Sequence, residues 1–113
     1  MANLQELERL ALSETKITDA GLKEVAKLKN LTNLGLSRTQ ITDAGLEELA
    51  KMQNLEKLFL CGTKITDECL KELAKLKNLT NLGLGYTKIT DAGAAELRKV
   101  LPKCNITHTY KKD

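Results

Sequence analysis

Residues 27–36 read KLKNLTNLGL, and residues 75–84 read the same ten letters. The two copies start 48 residues apart, and the tripeptide Ile-Thr-Asp, beginning at Ile17, Ile41, Ile65 and Ile89, halves that interval. The period is therefore 24 residues. Self-similarity at a fixed period of ~20–50 residues marks a stacked repeat architecture and decides the fold before any segment is read alone. Four full units follow, 7–30, 31–54, 55–78 and 79–102, with a partial unit over 1–6 and a closing segment over 103–113. Their consensus is LxxLxLxxTxITDxGLxxLAxLxx.

Each unit changes periodicity halfway. LxLxx alternates with period two, which is a short strand burying every second residue. In unit two Leu34 and Leu36 point inward, and Asn33, Gly35 and Ser37 point outward. Thr39 follows at a turn, where a short hydroxyl can satisfy backbone groups. Thr42 is a suitable helix N-cap, and Asp43 in the first turn complements the helix dipole. Leu46, Leu49, Ala50 and Met52 then recur at helical spacing and form one apolar stripe. A single unit has too few apolar side chains to offset the entropy of ordering it. Stacking flat faces on neighbouring units supplies the missing burial.

These residues carry a family resemblance. The in-phase T-x-I-T-D-x-G-L segments resemble the leucine-rich repeats, most closely the 24-residue helical variety. That variety includes the cysteine-containing repeats of F-box proteins and many bacterial arrays. The resemblance covers essentially the whole chain. It implies an α/β right-handed solenoid, with a parallel β-sheet on the concave face and α-helices on the convex face, forming a single domain over 1–113. It also implies binding of a protein or peptide through the concave face.

The two ends read differently. Leu22, Leu46 and Leu70 give way to Ala94, and Ala26, Ala50 and Ala74 to Arg98. A charge at a packing position predicts that one neighbour is missing there. Pro102 stops the helix, and Cys104, Ile106 and His108 alternate as a last strand. The stretch LPKCNITH resembles the natural ending of bacterial arrays, so 103–113 reads as a C-terminal cap. Met1 aligns with Val25 and Leu4 with Leu28, so the chain opens inside a final helical turn. Leu4, Leu7, Leu10, Leu12 and Ile17 are then expected on an open face, which makes self-association through that end an expectation.

Composition narrows the chemistry. The 113 residues suit one domain, and 42% hydrophobic with 29% charged residues is a globular balance. The net charge of +3 is spread among interleaved acids and bases, and the only aromatics are Phe59, Tyr86 and Tyr110, which argues against a nucleic-acid partner. No apolar run approaches the ~20 residues that span a bilayer, and the N-terminus lacks a secretory pattern, so a cytoplasmic location is expected. Cys61, Cys69 and Cys104 are odd in number and irregular in spacing, which fits a reducing compartment and no disulfide framework.

Nothing in the motifs requires a metal or a cofactor, and none is expected. His108, the only histidine, has no partner at a spacing the sequence reveals and reads as part of the cap. Cys69 stands where Gly21, Gly45 and Gly93 stand, a tolerated variation at a helix start. The column Asp19, Asp43, Asp67 and Asp91 suggests calcium only superficially. No Gly-rich calcium loop accompanies it, and each Asp is expected to serve its own helix start. Lys16, Lys64 and Lys88 are expected to balance those aspartates. Glu24/Lys27, Glu47/Lys51 and Glu72/Lys75 are expected helix-surface pairs. No nucleophile elbow, phosphate loop or paired-carboxylate set is present, so no catalytic residue is assigned.

The outward strand positions vary most. They form the columns Arg9, Asn33, Lys57, Asn81; Ala11, Gly35, Phe59, Gly83; and Ser13, Ser37, Cys61, Gly85, with Glu14, Arg38, Gly62, Tyr86 alongside. Phe59 is a bulky ring in a column of Gly and Ala. Partner binding is expected around Phe59, framed by Lys57, Cys61, Arg38 and Tyr86, with Gly35 and Gly83 leaving both flanks of the ring open. The alternatives are a recognition segment of a longer adaptor or receptor array, as in F-box proteins, and a structural spacer.

Overall fold

A computed structural model describes residues 6–108. Residues 1–5 and 109–113, and with them Met1, Leu4, Tyr110 and the last part of the expected cap, lie outside the described residues. Strands β1 (Arg9–Ala11), β2 (Asn33–Gly35), β3 (Lys57–Phe59), β4 (Asn81–Gly83) and β5 (Asn105–Thr107) alternate with helices. The helices are α1 (Asp19–Val25), α2 (Asp43–Leu49), α3 (Leu70–Leu73, preceded by a 3₁₀ turn over Asp67–Cys69) and α4 (Asp91–Val100). The five strands form one parallel sheet in sequence order. Register follows the repeat: Arg9 pairs Asn33, Leu34 pairs Leu58, Phe59 pairs Gly83, and Leu82 pairs Ile106.

The core is the inward column of the repeat. Leu34, Leu36, Ile41, Leu46, Leu49, Leu58, Leu60 and Ile65 are fully buried, and Met52 and Ala50 nearly so. Each turn is closed as expected. The hydroxyls of Thr15, Thr39, Thr63 and Thr87 donate to the carbonyls of Leu12, Leu36, Leu60 and Leu84 at 2.6–2.8 Å.

The aspartates do more than complement their own helices. Asp19 accepts the Thr42 backbone N–H (2.8 Å) and hydroxyl (2.5 Å); Asp43 does the same for Thr66, and Asp67 for Thr90. Each threonine hydroxyl then accepts a backbone N–H of its own helix, from Ala44, Glu68 or Gly93. The column is thus a carboxylate–hydroxyl ladder tying each helix start to the next unit. The Lys16, Lys64, Lys88 column makes no ion pair with it among the described residues. On the helix surface Lys27 pairs with Glu24, Lys75 with Glu72, and Lys51 with Glu48 rather than Glu47. The Glu48 pair keeps the repeat phase, because three-residue spacing also brings side chains together on a helix.

This ladder explains Gly45 and Gly93, each two residues after an aspartate. A Cβ on Gly45 would collide with the Asp19 carboxylate and lie 2.7 Å from a Leu22 methyl, and one on Gly93 would meet Asp67. Cys69 has such a Cβ. In that unit alone the helix opens with a 3₁₀ turn instead of an α turn. The substitution is absorbed by the backbone, and the buried thiol lies within reach of the Asp43 charge.

Side chains from the last described residues bond back to the stack. Arg98 donates to the Ile106 carbonyl (3.2 Å), so the charge caps the edge strand. His108 has partners that its spacing did not reveal. Its Nε2 donates to the Ile89 carbonyl at 2.6 Å, and its Nδ1 faces Asp91 at 3.4 Å. In the inner units the Ile41 and Ile65 carbonyls take the backbone N–H of Lys64 and Lys88. The imidazole therefore substitutes for a backbone donor and fills the position opposite the last ladder aspartate.

Candidate functional site

Strand alternation sends Lys57 and Phe59 outward while Leu58 between them is fully buried. The register then sets Phe59 between Gly35 on β2 and Gly83 on β4. Phe59 is 41% exposed, which excludes a core role and confirms the strand phase.

The flanks of its ring differ, contrary to the symmetric expectation. Phe59 Cδ1 and Cys61 Sγ each come within 3.2 Å of where a Cβ on Gly83 would stand. The ring and the thiol cover Gly83, which is buried, while Gly35 is left partly open. The open side is an apolar hollow of about 320 Å³ lined by Arg9, Leu10, Ala11, Asn33, Leu34, Gly35 and Phe59. A ring that leans on a bare backbone buries one face, and it does so toward β4.

The remaining expected residues gather elsewhere. Arg38, Cys61 and Tyr86 line a second hollow of about 440 Å³ with Gly62, Gly85 and Thr107. Lys57 lines neither. The site thus divides in two across Phe59 and Cys61, one part over β1 and β2, the other over the turns that follow β2 to β4.

The second hollow has a backbone cause. Glu14, Arg38 and Tyr86 all adopt left-handed backbone, with φ of 62°, 58° and 59°. Only unit three puts glycine at this position, Gly62 with φ 73°. Non-glycine residues in this region carry a cost of roughly 1–2 kcal/mol each. The row therefore projects Glu14, Arg38 and Tyr86, with a gap at Gly62. Arg38 donates to Glu14 at 2.8 Å while its Cγ lies over Gly62, 3.1 Å from the position of a Cβ there. Tyr86 is 62% exposed on the far side. Sequence reasoning missed Gly62 and Thr107 as lining residues; the signal available was a glycine breaking a column of large side chains.

Electrostatically, the outward positions of the five strands carry Arg9 and Lys57 and no acid. Glu14, beside them, is occupied by Arg38. Of the thiols, burial and then the Asp43 and Asp67 charges push Cys69 up to about 12, and burial raises Cys104. Among the described residues no group of three or more His, Cys, Asp or Glu side chains is placed to hold a metal ion, and no helix is long and apolar enough to cross a membrane.

The sequence profile described as Leucine Rich repeat matches residues 3–26, 27–50 and 75–97, more than half of the chain. The stretch between the second and third matches, 51–74, carries Lys57, Phe59, Cys61, Gly62 and Cys69. Among solved structures, a leucine-rich-repeat protein of Leptospira interrogans is 34% identical over 89% of this chain and 25% of its own, with a TM-score of 0.69. Internalin C2 of Listeria monocytogenes is 30% identical over 96% of this chain and 43% of its own, with a TM-score of 0.71. The chain thus spans less than half the length of either. The actin-binding site 2 of leiomodin-1 shares the fold at 16% identity, covering 96% of this chain and 73% of that one, with a TM-score of 0.72. No curated protein matches the chain.

Proposed function

The chain belongs to the leucine-rich-repeat family, and on that premise we propose that it is a non-enzymatic interaction module docking a short protein or peptide segment on its concave sheet face. The family's repeats commonly mediate protein–protein contacts. The observation that carries the reading is Phe59, an exposed ring walling an apolar hollow in a column otherwise held by Ala11, Gly35, Gly83 and Thr107. Aromatic side chains of this kind are enriched among residues that dominate binding energy. Arg9 and Lys57, with no acid among the outward strand positions, favour an acidic segment.

Size limits the partner. Five strands at ~4.8 Å spacing make a face about 20 Å across. On the order of 400 Å² is half of the ~800 Å² per partner in a standard interface. The module alone therefore holds a short motif weakly. The same limit favours a second reading, a recognition segment working within a longer adaptor or receptor array.

The test is Phe59→Ala, measured by thermal unfolding and by affinity for a ligand recovered by pulldown. A loss of about 2 kcal/mol in binding with a small change in stability is expected. Unchanged affinity would place the binding face elsewhere.

A further inference from the structure

The row of left-handed residues makes a slot that the sheet alone would not have. Arg38 and Tyr86 stand two repeats apart, about 10 Å at ~4.8 Å per strand. Between them Gly62 contributes no side chain, and Cys61, Gly62, Gly85 and Thr107 complete the lining. A flat ring needs about 3.5–4.0 Å to the atoms on each of its faces, which fits this separation and leaves room for the Arg38 stem leaning inward. One wall is the aliphatic stem of Arg38 and the other the Tyr86 phenol ring, two surfaces against which a flat aromatic ring packs.

We propose that this slot takes a planar aromatic side chain of the partner, clasped between Arg38 and Tyr86, with an acidic residue of the same segment next to it. The acid follows from charge. The outward strand positions hold Arg9 and Lys57 and no carboxylate, and Glu14, the one acid of the left-handed row, is bonded to Arg38. That pair is exposed on both sides, at 74% and 64%, so a partner carboxylate can replace Glu14 at little cost. The inference rests on the concave-face reading and adds to it the class of side chain recognised and a second anchor point beside the Phe59 hollow. An extended segment crossing the sheet obliquely would meet the hollow over β1 and β2 first and the slot second.

Amide-resolved NMR titration tests this with two probes, acetyl-Asp-Tyr-Asp-amide and acetyl-Asp-Leu-Asp-amide. Saturable shifts centred on Gly62, Gly85 and Thr107 are expected for the tyrosine peptide, with binding about tenfold weaker for the leucine peptide. Gly62→Asn fills the slot while suiting its left-handed backbone, and it should weaken the tyrosine peptide by a similar factor with the strand amides unmoved. Shifts confined to Ala11, Gly35 and Phe59 and indifferent to Gly62→Asn would overturn the slot and leave the concave-face reading standing. Absence of saturable shifts anywhere on the concave face would overturn both.

Discussion

The carboxylate of Asp19 holds both the backbone N–H and the hydroxyl of Thr42, one residue short of a full repeat away. The same two bonds recur from Asp43 to Thr66 and from Asp67 to Thr90. Each threonine in turn caps its own helix, so one aspartate sets the start of two successive helices. Thr18 makes no side-chain cap bond, in keeping with a hydroxyl that no described aspartate orients.

Removing a rung should therefore act between units. Asp43→Ala deletes two bonds to a charged acceptor at a half-buried site and is expected to cost about 2–3 kcal/mol. Urea unfolding should show a lower midpoint at unchanged slope. A double-mutant cycle with Thr66→Ala should return a coupling of about 1 kcal/mol or more. Additive single effects would mean that the ladder carries no energy.

Thiol chemistry should rank by burial. Cys69, buried and pushed up to about 12, should resist alkylation until the chain unfolds, whereas half-buried Cys61 should react in the native state. Because folding raises the Cys69 value above the ordinary 9.0, the folded state holds its proton more tightly. That stabilisation is complete below pH 9 and is lost as pH rises toward 12. Cys69→Ser should flatten the fall in stability over this window; an unchanged profile would show that Cys69 does not contribute.

The face of unit one differs from the inner faces. Leu7, Leu10, Leu12 and Ile17 are only partly buried, while their repeat equivalents Leu31, Leu34, Leu36 and Ile41 are 0–1% exposed. Association through this apolar face should appear as concentration-dependent sedimentation, reduced by Leu10→Lys. A constant sedimentation coefficient over a hundredfold concentration range would count against it.

Most of the fold was legible because a 24-residue period repeats its instructions: the LxL strands, the Thr turns and the Thr-Asp helix starts all stand where their spacing puts them. What stayed hidden was interaction between units. Asp43 looks like a local helix residue because its partner, Thr66, belongs to the next repeat. His108 looks unpartnered because Ile89 and Asp91 reach it only through stacking. Cys69 looks like neutral variation until its helix is seen to open with a 3₁₀ turn beside the Asp43 charge. The candidate site was half legible for the same reason. Columns of outward residues can be read from phase, but the lean of Phe59 toward Gly83 depends on which neighbour lacks a side chain and which has room.

The His108 contacts offer a test of that stacking. His108→Ala leaves the Ile89 carbonyl without its 2.6 Å donor at a site where the imidazole is 2% exposed, and should cost about 1–3 kcal/mol. Hydrogen exchange should speed up first in β5 and at the start of α4, with β1 and β2 unaffected. Uniform acceleration would mean that the imidazole supports the whole fold rather than its last unit.

The left-handed row separates stability from binding most sharply. Tyr86 occupies a backbone conformation that glycine adopts freely, and its ring is 62% exposed. Tyr86→Gly should therefore relieve roughly 1 kcal/mol of backbone strain while giving up little packing. The net expectation is unchanged or slightly higher thermal stability, read by a melting curve. Phe59→Ala makes the contrast, because its ring covers Gly83 and truncation uncovers the strand below, for a loss of about 1 kcal/mol. If the strained position is kept for recognition, Tyr86→Gly should weaken partner binding even though the fold loses no stability. A loss of both stability and binding would show that the Tyr86 ring is part of the packing and that the row is structural.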